Sequence, residues 1–135
     1  MCSLLFVYGT LRRAANTKWS RLLASMADFA GAGRTRGLLF RVAHYPGMIL
    51  TAQEDAWVVG EVYSLHEPPN ALQVLDEYEG CGPADPPPHP FERQIVDVWF
   101  NDHRTVRAWA YTYCFETAPE SRIASGDFLE AENSI

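Results

Sequence analysis

Two short segments carry residues that could do chemistry together. The first is Tyr8-Gly9-Thr10-Leu11, directly after an apolar run. A glycine there lets the chain turn sharply and expose consecutive N–H groups, which can cradle a carboxylate or a developing oxyanion. Thr10 adds a hydroxyl. A strand-to-loop turn without any ligand fits the same four residues, and from spacing alone it is the commoner case. The second segment, Leu75 to Gly80, holds Asp76, Glu77 and Glu79 near an expected helix C-terminus. The helix dipole disfavours anions at that end, and a buried acid holds its proton more tightly. Both effects tune a carboxylate toward general acid/base work. Asp76 and Glu79 share a face, whereas Glu77 lies on another. A solvated acidic helix end is the plain alternative.

Other reactive side chains offer less. His44, His66, His89 and His103 include no pair at metal spacing. His44 flanks a turn and suits a turn or a pocket rim; His89 and His103 sit in loops and read as solvated. Cys114 falls in an expected strand and reads as a small core residue. The serines show no nucleophile-elbow pattern, and there is neither a GxGxxG segment nor a phosphate-binding loop. Arg12-Arg13 could hold an acidic substrate or be solvated. Trp109, Tyr111 and Tyr113 alternate on one strand face; if a cavity lies beneath, one hydroxyl could reach a ligand.

The elements that must place these residues follow from periodicity. Leu4 to Tyr8 reads as a buried strand. Trp19, Leu22, Leu23 and Met26 recur at helical steps, so Asn16 to Phe29 is expected to be an amphipathic helix ended by Gly31 and Gly33. Thr35 to Ala43 reads as a strand, Tyr45-Pro46-Gly47 as a turn, and Met48 to Thr51 as a short extended piece. Trp57 to Leu65 is a strand in which Gly60 marks a bulge or a close approach of another backbone. Pro68-Pro69-Asn70 opens a helix that Gly80 ends. Cys81 to Pro90, with Pro86-Pro87-Pro88, is a loop. Arg93 to Phe100 and Thr105 to Phe115 form a hairpin, and Phe128 and Leu129 can dock from the polar tail. About five strands and two helices make an α+β fold, a small, mostly antiparallel barrel flanked by helices, spanning residues 1–135 as one domain.

Bulk properties set limits. The chain is 47% hydrophobic and 21% charged, the balance of a globular domain. Eleven basic against 17 acidic residues give a net charge of −6, which argues against a nucleic-acid partner. Cys2, Cys81 and Cys114 are too few and too scattered for a disulfide framework and suit a reducing compartment. Basic residues follow the first apolar run rather than precede it, the wrong order for a signal peptide. No run reaches the ~18 apolar residues of a membrane helix. A cytoplasmic monomer is the expectation, since neither heptads nor an apolar stripe are present.

Read together, FVYGTLRR and LDEYEG resemble the gamma-glutamyl cyclotransferase-like family, which includes gamma-glutamylamine cyclotransferases and avirulence-induced-gene-like proteins. The segments between agree in order: Asn16, YPGM at 45–48, VVGEVY at 58–63, FERQIVDV at 91–98, AWAYTY at 108–113 and SGDFL at 125–129. The resemblance implies a compact mixed barrel with its active site in a cavity. It implies that Tyr8, Gly9, Thr10 and Leu11 bind the glutamyl portion through backbone groups. It implies that Glu79, the last acid of LDxxEG, is catalytic, and that Tyr111 belongs to the site. The implied reaction cyclises a gamma-glutamyl group to 5-oxoproline and releases an amine or amino acid, with no metal or cofactor. Relatives often carry tyrosine where Phe91 stands, so a hydrogen bond to substrate is missing here. A binding module holding a small acidic metabolite, or an interaction domain contacting partners through the 86–88 loop, are the competing readings.

Overall fold

A computed structural model describes residues 2–133, with side chains through Ala131. Leu4-Leu5-Phe6-Val7 form strand β1 (Leu4–Val7). Helix α1 (Lys18–Met26) follows, then β2 (Ala27–Arg41), β3 (Pro46–Leu50), β4 (Trp57–Leu65), α2 (Pro68–Tyr78), β5 (Phe91–Phe100), β6 (Thr105–Tyr113) and α3 (Phe128–Asn133). The sheet runs β3-β2-β4-β1-β6-β5, and β2 pairs with β5 to close a five-stranded barrel, with β3 appended to β2. All pairings are antiparallel except β1 with β6. The expected small mixed barrel flanked by helices is the fold observed.

Strand β1 is apolar at every position because both its faces are covered. Alternation sends Phe6, with Tyr8 beyond it, to the barrel interior, where they meet Val58, Val62, Val96, Val98, Ala108 and Ala110. Leu5 and Val7 face outward, under Leu23 of α1 and Leu72 and Leu75 of α2. Both helices are thereby fixed against the end of β1, where the Tyr8–Leu11 loop begins.

Four expectations are corrected. Helix α1 stops at Met26, and Ala27 to Phe29 already belong to β2, paired with Leu65, Ser64 and Tyr63. Gly31 and Gly33 therefore do not end a helix. They lie within a 15-residue strand with a bulge between Phe29 and Gly31. A Cβ at position 33 would sit 2.9 Å from Val98 Cγ1, so glycine is needed where β5 closes the barrel. The helix start is also later than periodicity suggests. Thr17 caps it: its Oγ1 accepts from Ser20 N at 3.0 Å, and Ser20 Oγ accepts from Thr17 N at 2.8 Å. Pro46 and Gly47 are strand residues, with the bend at 43–45. Finally, β6 ends at Tyr113, and Cys114 is exposed rather than a core residue.

Gly60 fulfils the close-approach reading. A Cβ there would collide with the Val7 carbonyl oxygen and press on the Phe6 ring. Gly60→Ala is expected to lower stability by about 3 kcal/mol, an overpacking cost with no flexible side chain to yield. Thermal unfolding followed by circular dichroism checks this, and a melting point within 2 °C of wild type would contradict it.

Candidate active-site cavity

A cavity of about 310 Å³ opens at the end of β1. Tyr8, Gly9, Thr10 and Leu11 form one wall, and Glu79 and Tyr111 line it as well. The two segments singled out by sequence are thus brought together with Tyr111 from β6. Tyr78, Pro46 and Phe91 also line the cavity, as do His44 and Tyr45. Periodicity gave no sign of these last residues except His44, which one of its two readings placed at a pocket rim.

Local sequence explains the Tyr8–Leu11 wall. Arg12 N–H donates to Gly9 C=O at 3.0 Å, closing a tight turn. Gly9 is required by contact: a Cβ would stand 2.8 Å from the Pro46 ring. Among the described residues no acceptor takes the N–H groups of Gly9, Thr10 or Leu11. The Thr10 hydroxyl pairs with the Tyr78 hydroxyl at 2.8 Å, and Thr17 Oγ1 donates to Thr10 C=O at 2.6 Å. The cap of α1 and the last turn of α2 therefore hold the loop from both sides.

Neither Arg12 nor Arg13 lines the cavity; Arg13 is exposed, as its solvated reading has it, whereas Arg12 is half-buried. Arg12 Nη1 pairs with Asp127 at 2.9 Å and its Nε with Glu61 at 3.4 Å. The Glu61 carboxylate also accepts from Arg13 N–H at 2.8 Å and from the Tyr63 hydroxyl at 3.3 Å. The Arg13 guanidinium lies 3.8 Å over the Phe29 ring. Glu61 is a buried acid inside β4, and sequence reading missed it. Its signal was available: a carboxylate within a buried apolar strand requires a cationic partner.

Glu79 caps α2, with Gly80 next in a left-handed conformation at φ +79. The carboxyl has no hydrogen-bond donor among the described residues. Burial pushes its pKa up to about 7, and the C-terminal end of α2 acts in the same direction. Burial, reinforced by the Glu79 charge, holds the Tyr8 hydroxyl far above the ordinary tyrosine range. That hydroxyl donates to Tyr111 C=O at 2.5 Å and accepts from Met48 N–H at 3.2 Å. The Tyr111 hydroxyl is committed to Asp76 at 2.6 Å, and Arg93 grips the same carboxylate at 2.9 and 3.2 Å. Asp76 thus fastens the last turn of α2 to β5 and β6, while Glu79, three residues on, is left free for the cavity. His89 is tied rather than solvated, through Nδ1 to Glu92 and Nε2 to the Asp85 carbonyl, both at 2.9 Å. Among the described residues no group of three or more His, Cys, Asp or Glu could hold a metal ion, and no helix is long and apolar enough to cross a membrane.

The raised Glu79 pKa has a stability consequence. Below about pH 4.5 folded and unfolded chains both hold this proton, and the site costs nothing. Between about 4.5 and 7 the unfolded chain releases it first, so stability falls as pH rises, and the cost is complete above 7. Glu79→Gln should therefore melt higher than wild type at pH 8, by several degrees, and equally at pH 4.5. Melting curves at both pH values check this; an unchanged or lower melting point at pH 8 would contradict it.

The closed barrel thus brings the Glu79 carboxyl and the unbonded N–H groups of the Tyr8–Leu11 loop to one cavity. The chain belongs to the gamma-glutamyl cyclotransferase, AIG2-like family, which it matches over residues 5–130. It is 40% identical over 78 residues to YkqA of Bacillus subtilis, described as a candidate gamma-glutamylcyclotransferase, a match spanning 58% of this chain and 27% of YkqA. The crystal structure of YkqA superposes with a TM-score of 0.74 at 30% identity, covering 100% of this chain and 44% of YkqA. The chain therefore spans less than half the length of that relative. An AIG2-like protein from Mus musculus superposes with a TM-score of 0.67 at 27% identity, over 88% of this chain and 81% of the mouse chain.

Proposed function

We propose that this protein is a gamma-glutamyl cyclotransferase in which Glu79 is the general acid/base. The observation that carries this reading is the Glu79 carboxyl, lining the cavity with no protein hydrogen-bond donor and with its pKa near neutrality. A gamma-glutamyl group contains its own nucleophile, the α-amine. Held in one folded conformer, that amine reaches the γ-carbonyl carbon, and the enzyme gains from fixing this conformer. Glu79 takes a proton from the amine as its nitrogen forms a bond to the γ-carbon. The charged tetrahedral oxygen is stabilised by N–H groups of the Gly9–Leu11 loop. Glu79 then returns the proton to the departing nitrogen as the original amide bond breaks. The products are 5-oxoproline and a free amine, and proton and bond counts balance without another reactant.

Tyr8 and Tyr111 act here as walls rather than acids, since both hydroxyls are spent within the protein. Phe91 lines the same cavity and offers no hydroxyl to substrate. The test is turnover of a panel of gamma-glutamyl amines and gamma-glutamyl dipeptides, followed by amine release. Release from at least one member is expected; release from none, with intact fold, would remove the catalytic reading in favour of a binding role.

A further inference from the structure

A cavity of about 310 Å³ lies at the lower end of the ~300–1,000 Å³ that pockets for drug-sized ligands occupy. It suits the glutamyl head, so a larger substituent on the departing nitrogen must leave through the mouth. The mouth is marked by exposure: His44 is exposed and Tyr45 half-buried, whereas Tyr8 and Phe91 lie deep. From buried Phe91, ring contacts run one way to Tyr45 at the mouth and the other way through Tyr113 to exposed Phe115. Tyr45 and Phe91 centroids are 6.0 Å apart, Phe91 and Tyr113 5.3 Å, and Tyr113 and Phe115 5.9 Å. The rings meet at tilted to edge-on angles of 53 to 68°, the arrangement aromatic pairs prefer.

The series is built rather than incidental. Tyr113 packs where a Cβ on Gly47 would stand 2.8 Å from it, so Gly47 is needed to bring β3 against this ring. The Pro90 carbonyl accepts from Cys114 N–H at 2.8 Å, fixing the chain between Tyr113 and Phe115 beside Phe91. Phe115 nonetheless remains 41% exposed at the outer end. Among the described residues no lysine or arginine lines the cavity, and His44 is the one lining side chain able to carry a positive charge. The rings of Tyr45 and Phe91 in the cavity wall, continued by Tyr113 to exposed Phe115, make an apolar surface that fits a planar, apolar group on the substrate.

We propose that the amine released by this protein carries an aromatic ring, seated against Tyr45 and Phe91 and directed toward Tyr113 and Phe115. The proposal rests on the cyclotransferase reading of the cavity and names its substrate class. Three substrates with a common reacting amide isolate the ring: gamma-glutamyl-phenethylamide, gamma-glutamyl-cyclohexylethylamide and gamma-glutamyl-ethylamide. The phenethyl compound is expected to exceed the ethyl compound about tenfold or more in kcat/KM, with the cyclohexyl compound between them. Tyr45→Leu should bring the phenethyl-to-ethyl ratio down to the cyclohexyl-to-ethyl ratio. Equal kcat/KM for all three compounds, or a ratio unchanged in Tyr45→Leu, would overturn the proposal. Should none be turned over, the catalytic reading fails separately, and calorimetric Kd values on Glu79→Gln decide the ring: phenethyl tighter than ethyl supports the subsite, equal affinities overturn it.

Discussion

Glu79→Gln is expected to lower kcat for 5-oxoproline formation by roughly 10³-fold or more, while KM changes only a few-fold. Glutamine keeps the size of the side chain and cannot accept the proton that leaves the α-amine. In the proposed reading the glutamyl head lies against the Tyr8–Leu11 wall, which the substitution does not touch. Glu79→Asp withdraws the carboxylate by one methylene, and a misplacement of that scale costs roughly 10²-fold. The wild-type rate should fall below about pH 7, because only the ionised carboxyl can begin the reaction. That limb should vanish from whatever activity Glu79→Gln retains. Since Glu79→Gln is expected to be at least as stable as wild type at pH 8, lost activity cannot be ascribed to unfolding. Activity within tenfold of wild type would remove Glu79 from the chemistry.

The second large effect concerns Glu61, which lies outside the cavity. It is 5% exposed and gathers Arg12, the Arg13 N–H and the Tyr63 hydroxyl on one carboxylate. Glu61→Ala leaves the Arg12 guanidinium, itself largely buried, with Asp127 as its remaining acidic partner. Breaking a buried pair from one side costs about 3–5 kcal/mol, a large share of the ~5–15 kcal/mol that holds a domain folded. A melting point lower by roughly 10–20 °C is expected. Because Arg12 follows Leu11 directly, the loop that forms the cavity wall loses its anchor, and kcat should fall as well. Replacing both partners, as in Arg12→Met with Glu61→Leu, should recover part of the stability, since neither charge of the buried pair is then stranded and only the more exposed Asp127 loses its partner. A Glu61→Ala melting point within 3 °C of wild type would show that the clamp contributes little.

Sequence reading named much of the cavity wall and missed what lies between its parts. Strand β4 and the β5–β6 hairpin were legible because Val, Ile and aromatic residues outline them, and the end of α2 was legible because Gly80 takes the left-handed conformation it favours. The end of α1 was not. Gly31 and Gly33 look like helix stops, but they serve a bulge and a barrel closure, which depend on a strand remote in sequence. The same holds for Gly9, whose small size is set by Pro46, and for Glu61, whose partners Arg12 and Arg13 lie nearly fifty residues away. Tyr45 and Phe91 enter the cavity wall only through the pairing of β3 with β2 and of β5 with β6. Local pattern names the chemistry-bearing groups here, and long-range packing decides which of them stay free to act.

The central claim is intramolecular cyclisation, and product identity tests it most directly. A gamma-glutamyl amide incubated with the protein in H₂¹⁸O, with products resolved by mass spectrometry, separates ring closure from attack by water. The account predicts 5-oxoproline free of ¹⁸O, formed in equal amount to the released amine and absent with Glu79→Gln. Glutamate carrying ¹⁸O would contradict it, because water rather than the α-amine would then be the nucleophile.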